Sequence, residues 1–206
     1  PRTDIELLNE YHEGLICLSA CLNGYVSEPL LQNQEKTAEK RAENLSQIYG
    51  KDSFYLELQK HIDVKGQDTL NEKLIGLSKK LGIPLVATND NHYVYDGDAQ
   101  AQEILLCIQT QTTIDMKDRK LSMISSPDFY IKSSEEMSGL FIQTPEAVAN
   151  TIKIADMCDL EITLGKWIMP IFNVPGNKNS EEFIREKVEE GLRKRYKNVT
   201  HEIKKR

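Results

Sequence analysis

Pro84-Leu85-Val86-Ala87-Thr88-Asn89-Asp90-Asn91-His92-Tyr93-Val94 opens as a buried strand and closes on groups that hold metal ions. Leu85 to Ala87 are apolar, and a carboxylate and an imidazole follow two residues apart. Just upstream, Asp68 to Leu81 carries Leu70, Leu74, Leu77 and Leu81 at helical spacing, with Asp68 as its cap and Gly82 as its stop. Farther upstream, Gly14 to Cys21 and Phe54 to Leu58 read as strands. Asn33 to Tyr49, rich in helix formers and stopped by Gly50, reads as the helix between them. Downstream come a helix over Asp98 to Gln109, a fourth short strand over Phe129 to Lys132, and helices over Ser134 to Phe141 and Pro145 to Cys158. Strand and helix alternate at least three times, and the strands are continuous apolar runs. That pattern predicts an α/β fold with parallel strands buried on both faces. In such folds chemistry collects at the carboxyl ends of the strands, where Asp90 and His92 stand.

After Asp159 the character changes. Leu164 to Ser180, LGKWIMPIFNVPGNKNS, has two prolines, two glycines and no helical period, and it reads as an extended connector. Ser180 to Tyr196 then reads as a helix with Ser180 as its cap and Glu in its first turn. The boundary falls near residue 160.

The chain has 206 residues, 39% hydrophobic and 28% charged, enough for one large domain or one domain with an appendage. No apolar run reaches the length of a transmembrane helix, and the N-terminus has no signal-peptide core. The sequence begins at Pro1 rather than Met, which reads as a segment of something longer or a Met removed before Pro1. Four cysteines, Cys17, Cys21, Cys107 and Cys158, form no CxxC pair and no disulfide framework, so a reduced, cytoplasmic setting is expected. Cys107 and Cys158 fall on apolar helix faces and read as core. A net charge of −6 argues against a surface dominated by phosphate binding. The basic run from Arg193 to Arg206 is the exception, and it reads first as a solvated helix end.

Three strand ends carry ligand-type residues: Cys21 after the first, Glu57, Gln59 and His61 on the second, Asp90 and His92 after the third. Side chains two apart on an extended chain share a face, so Asp-x-His presents both groups to one side. Carboxylate, imidazole and thiolate together suit Zn, Mn or Fe rather than Mg or Ca, and such an ion supports phosphoester hydrolysis. Each signal alone has a plainer reading: loop hydrogen bonds for Asp90 and His92, core packing for Cys21, a surface loop for His61. His12 and His201 have no partner in the sequence. There is no GxxxxGK[ST], no GxGxxG and no G-x-S-x-G, so nucleotide-binding and serine-hydrolase readings have no support in the motifs.

GLICLSACLNGYV, FYLELQKH, LGIPLVATNDNHYV, QEILLCIQTQTTIDM, DFYIKSSEEM and LGKWIMPIFNVP follow one another in order. Together they resemble the C-family of bacterial replicative DNA polymerases, the family of the DNA polymerase III alpha subunit, from about Glu10 to Tyr196. The resemblance implies the C-terminal portion of a PHP-type (polymerase and histidinol phosphatase) distorted (β/α)7, TIM-like barrel over residues 1–160. Residues 161–206 would then be the connector and first helix of the polymerase core. It carries a metal-ligand role onto Cys21, Asp90 and His92, with His61 as a possible addition. It implies Zn or Mn at the PHP site and Mg for polymerisation in the full chain. It also implies DNA, dNTPs, the sliding clamp and a proofreading exonuclease subunit as partners. The family's opening His-x-His strand has no match here, so three of nine family ligands are expected, and the polymerase's catalytic aspartates are not. Two roles compete: a metal-dependent 3′–5′ proofreading module, and a scaffold with a decayed site that holds the exonuclease subunit. A free-standing PHP phosphoesterase fits the polymerase-like continuation less well.

Overall fold

The computed structural model describes residues 2–176 and 178–206. By its internal contacts the chain divides into Pro1–Asp159 and Leu160–Arg206.

The first unit is built on three strands, β1 (Cys17–Leu18), β2 (Phe54–Gln59) and β3 (Leu85–Thr88), parallel and in that order. Helices α1 (Ile5–Glu10), α2 (Ser27–Leu31), α3 (Glu35–Tyr49), α4 (Gln67–Leu81), α5 (Ala99–Thr110), α6 (Ser134–Leu140) and α7 (Pro145–Met157) accompany them. The register pairs Cys17 with Phe54, Leu56 with Leu85 and Leu58 with Ala87. These residues alternate onto one face and join a single core with Leu45 of α3, Leu70 and Leu74 of α4 and Ala147 of α7. The opposite face carries Leu18, Tyr55, Glu57, Gln59, Val86 and Thr88, so polar groups begin there at the carboxyl ends of β2 and β3. Asn150 of α7 donates its side-chain amide to Leu85 O (2.7 Å) at the edge of the sheet. An uncovered strand edge invites pairing with other chains.

The α/β character and the parallel sheet are as the sequence predicts, but the described residues form three strands rather than a closed barrel. β1 is shorter than Gly14 to Cys21. Beyond Ser19, the amide of Glu57 donates to Ser19 Oγ (2.8 Å) instead of a strand carbonyl, and Ala20 turns left-handed at φ 65°. Cys21 therefore lies in a turn. The fourth strand is a single bridge, Tyr93 with Tyr130. Its neighbouring carbonyl, Tyr130 O, is taken by the Asn89 side chain. Gly66, not Asp68, caps α4; Asp68 sits in the first turn, 3.5 Å from Lys60 Nζ. Cys107 is buried as expected, whereas Cys158 follows the last turn of α7 in extended backbone and is exposed.

The second unit holds the extended connector, α8 (Ser180–Arg195) and α9 (His201–Lys205). Asn179 rather than Ser180 caps α8, in a reciprocal pairing with Glu182. Among the described residues no helix is long and apolar enough to cross a membrane.

Candidate metal centre

The loop after β3 turns at Asp90, whose φ of 49° is in the left-handed region that Asp tolerates better than most residues. Asn89, buried, fixes the turn: its amide donates to Asn91 Oδ1 (2.7 Å) and Tyr130 O (2.6 Å), and its carbonyl oxygen accepts from Lys132 Nζ (2.9 Å). The His92 amide donates to Phe129 O (2.9 Å). So held, His92 Nε2 and Asp90 Oδ1 stand 3.5 Å apart, both partly open to solvent. The two groups meet through this held turn rather than through the alternation of an extended strand, which ends at Thr88.

His61 is not a surface residue. Its side chain is only 1% exposed, stacked on Phe129 at 4.0 Å, while His92 meets the same ring edge-on at 5.6 Å. Asp128 Oδ1 lies 3.5 Å from His61 Nδ1, and neither ring nitrogen has a hydrogen-bond partner. Burial holds the imidazole below its usual range; Asp128 and Asp90 oppose that shift and Lys132 reinforces it. Burial thus favours the uncharged ring.

Asp128 and Lys132 were not singled out by the sequence. Asp128 accepts from Ile62 N (3.1 Å) and Ser126 Oγ (2.9 Å), and Lys132 Nζ donates to the Asp128 carbonyl. The segment Ser126–Lys132 is thereby a splint between the loops after β2 and β3. The short run Phe129 to Lys132 was the only signal, and it suggested a strand.

Cys21 stands in the turn after β1, half-buried. It does not join Asp90 and His92: among the described residues no three His, Cys, Asp or Glu side chains converge closely enough to hold a metal. The neighbouring thiol, Cys17, is pushed up to about 11 by burial and by Glu57, and is an inert core group. The donor chemistry nevertheless fits a divalent ion in part. A carboxylate and an imidazole are paired, and an unpartnered, neutral imidazole packs on the same aromatic ring. The chain's single Asp-x-Asp, Asp96-Gly97-Asp98, is a 3-10 turn in which Asp98 accepts from Tyr95 N (3.1 Å).

The PHP-domain family pattern matches residues 1–61. Over the whole chain the sequence is similar to the DNA polymerase III subunit alpha of Borreliella burgdorferi, 43% identical across 208 residues, and of Treponema pallidum, 41% identical across 207. The subunit of Thermus aquaticus is 37% identical over 95% of the chain. The chain spans 18%, 17% and 16% of the lengths of these relatives.

Proposed function

We propose that the chain, whose whole length aligns with part of the alpha subunits of bacterial DNA polymerase III, serves as part of the PHP module of a replicative DNA polymerase. In this reading residues 1–160 complete a distorted (β/α)7 barrel, and residues 161–206 lead into the polymerase core. The whole protein synthesises DNA from dNTPs with Mg, in the cytoplasm, alongside a sliding clamp and a proofreading exonuclease subunit. Asp90 and His92 hold a divalent ion, Zn or Mn, with His61, packed on the same aromatic ring, as a further donor; Cys21 stands apart from them. A bound ion of this kind supplies Lewis acidity for phosphodiester hydrolysis at a 3′ end. Asn89 and Lys132 keep the loop after β3 in place, and the neutral His61 keeps a lone pair free for coordination.

The observation that carries this reading is the Asp90–His92 pair, 3.5 Å apart at the carboxyl end of β3, in a chain aligned throughout with alpha subunits. The test is Asp90→Asn in the full-length enzyme. Metal-dependent removal of a mismatched 3′ nucleotide is expected to fall by at least 100-fold while primer extension persists. Unchanged removal with lowered thermal stability would instead assign the module a scaffolding role.

A further inference from the structure

We propose that Glu57 is a positioning residue that sets the strand-end loops bearing Cys21 and Asp90. The inference rests on the metal reading of the Asp90 loop. Glu57 lies on the central strand, and its side chain touches the carboxyl ends of all three. Thr88 Oγ1, at the end of β3, donates to Glu57 Oε1, as does Gln59 Nε2 at the end of β2 (3.1 Å). Ala20 N, just past β1, donates to Glu57 Oε2 (3.0 Å). The amide of Glu57 in turn donates to Ser19 Oγ (2.8 Å).

Each tie sits directly before a change of chain direction. Ala20 itself is left-handed at φ 65°, a conformation an alanine adopts only when its surroundings hold it there, and Cys21 is the next residue. Asp90, left-handed at φ 49°, comes two residues after Thr88. Without an acceptor at Glu57 Oε2, the Ala20 amide loses its partner at a strained position. Without one at Oε1, the Thr88 hydroxyl loses its charged acceptor, and the loop after it loses its anchor to the central strand. Both carboxylate oxygens accept from the protein, and these bonds are what tie the loops to the central strand. Partners of this kind tune an ion site without touching the ion.

The experiment uses the full-length chain and Zn²⁺ alone, titrated in competition with a chromophoric chelator, with thermal unfolding recorded in parallel without metal. Thr88→Val keeps the volume of the side chain and deletes the donor to Glu57; Thr88→Ser restores the hydroxyl. Glu57→Gln removes the charge that draws the three donors, and it serves if Thr88→Val fails to fold. Zn²⁺ affinity is expected to fall about 10-fold in Thr88→Val and Glu57→Gln, to recover in Thr88→Ser, and to do so with little change in the metal-free unfolding midpoint. Unchanged affinity in Thr88→Val and Glu57→Gln overturns the positioning role and leaves the metal reading intact. A loss of affinity that tracks a loss of stability and is not restored by Thr88→Ser overturns it as well. Undiminished Zn²⁺ affinity in Asp90→Asn, His92→Gln overturns the metal reading, and the inference falls with it.

Discussion

Glu103 is the most deeply buried carboxylate among the described residues, 1% exposed on α5. It accepts from Arg119, from Ser122 Oγ (2.6 Å) and from Met123 N (3.0 Å), and so fastens the long segment after α5 to its own helix. Burial alone would raise its carboxyl. The donors from Ser122, Met123 and Arg119 outweigh burial and hold it below its usual 4.5. A carboxyl depressed on folding stabilises the fold above its unfolded value, and that contribution is lost as pH falls through the folded one. Glu103→Ala leaves Arg119, itself 9% exposed, without its counter-ion. The expected cost is about 3 kcal/mol near pH 7. Denaturant unfolding of the full-length chain should show that gap shrinking as the pH drops below the ordinary carboxylate range. A gap independent of pH would mean that packing of the side chain, not its charge, fixes the segment.

Two glycines separate what an element needs from what it tolerates. Gly24 closes the turn between β1 and α2, with its amide donating to Cys21 O (2.8 Å) and its carbonyl accepting from Glu28 N (2.9 Å). A Cβ there would run into the Ser19 carbonyl oxygen and come within 2.9 Å of Cys21 O. Gly76 lies exposed in the middle of α4, and a Cβ there meets nothing. Gly24→Ala should therefore destabilise by about 2 kcal/mol through backbone displacement. Gly76→Ala should stabilise by about 0.7 kcal/mol through helix propensity alone. Unfolding midpoints of the two variants, expected to move in opposite directions, are the check. The same distinction explains what was readable beforehand. α4 was legible from its apolar period, α3 from its helix formers and the Gly50 stop, and β2 and β3 from their apolar runs, and all four meet one core. The end of β1, the cap of α4 and the bridge at Tyr130 were not legible, because side chains distant in sequence settle them: Glu57 against Ser19 and Ala20, Asn89 against Tyr130. At the candidate site, spacing singled out Asp90 and His92 as a pair, and the family resemblance, not the spacing, carried a metal role onto them. The burial of His61 was not legible, because Phe129 and Asp128 that enclose it lie more than 60 residues away in the chain.

The connector bears on the molecule as a whole. Leu160, Leu164, Trp167, Ile168 and Ile171 are each at least four-fifths exposed, and Phe172, also exposed, meets the ring of Phe183 on α8 at 5.6 Å. Apolar groups spaced along an extended segment cannot cover one another as a helix face covers a core, so their transfer free energy, about 25 cal/mol per Å² of apolar area, stays unrealised. Unsheltered apolar surface of that kind drives association. Sedimentation velocity on the 206-residue chain should therefore show an average mass that rises with concentration. Trp167→Ser with Ile168→Ser should return it toward the monomer while leaving the far-UV spectrum unchanged, since neither residue belongs to a helix or strand. Trp167 is the chain's single tryptophan and serves as the reporter of where the contact forms. If association buries the connector, its emission shifts blue as concentration rises. Association with an unshifted Trp167 would place the contact elsewhere, at the exposed Ile104, Leu105 and Ile108 of α5.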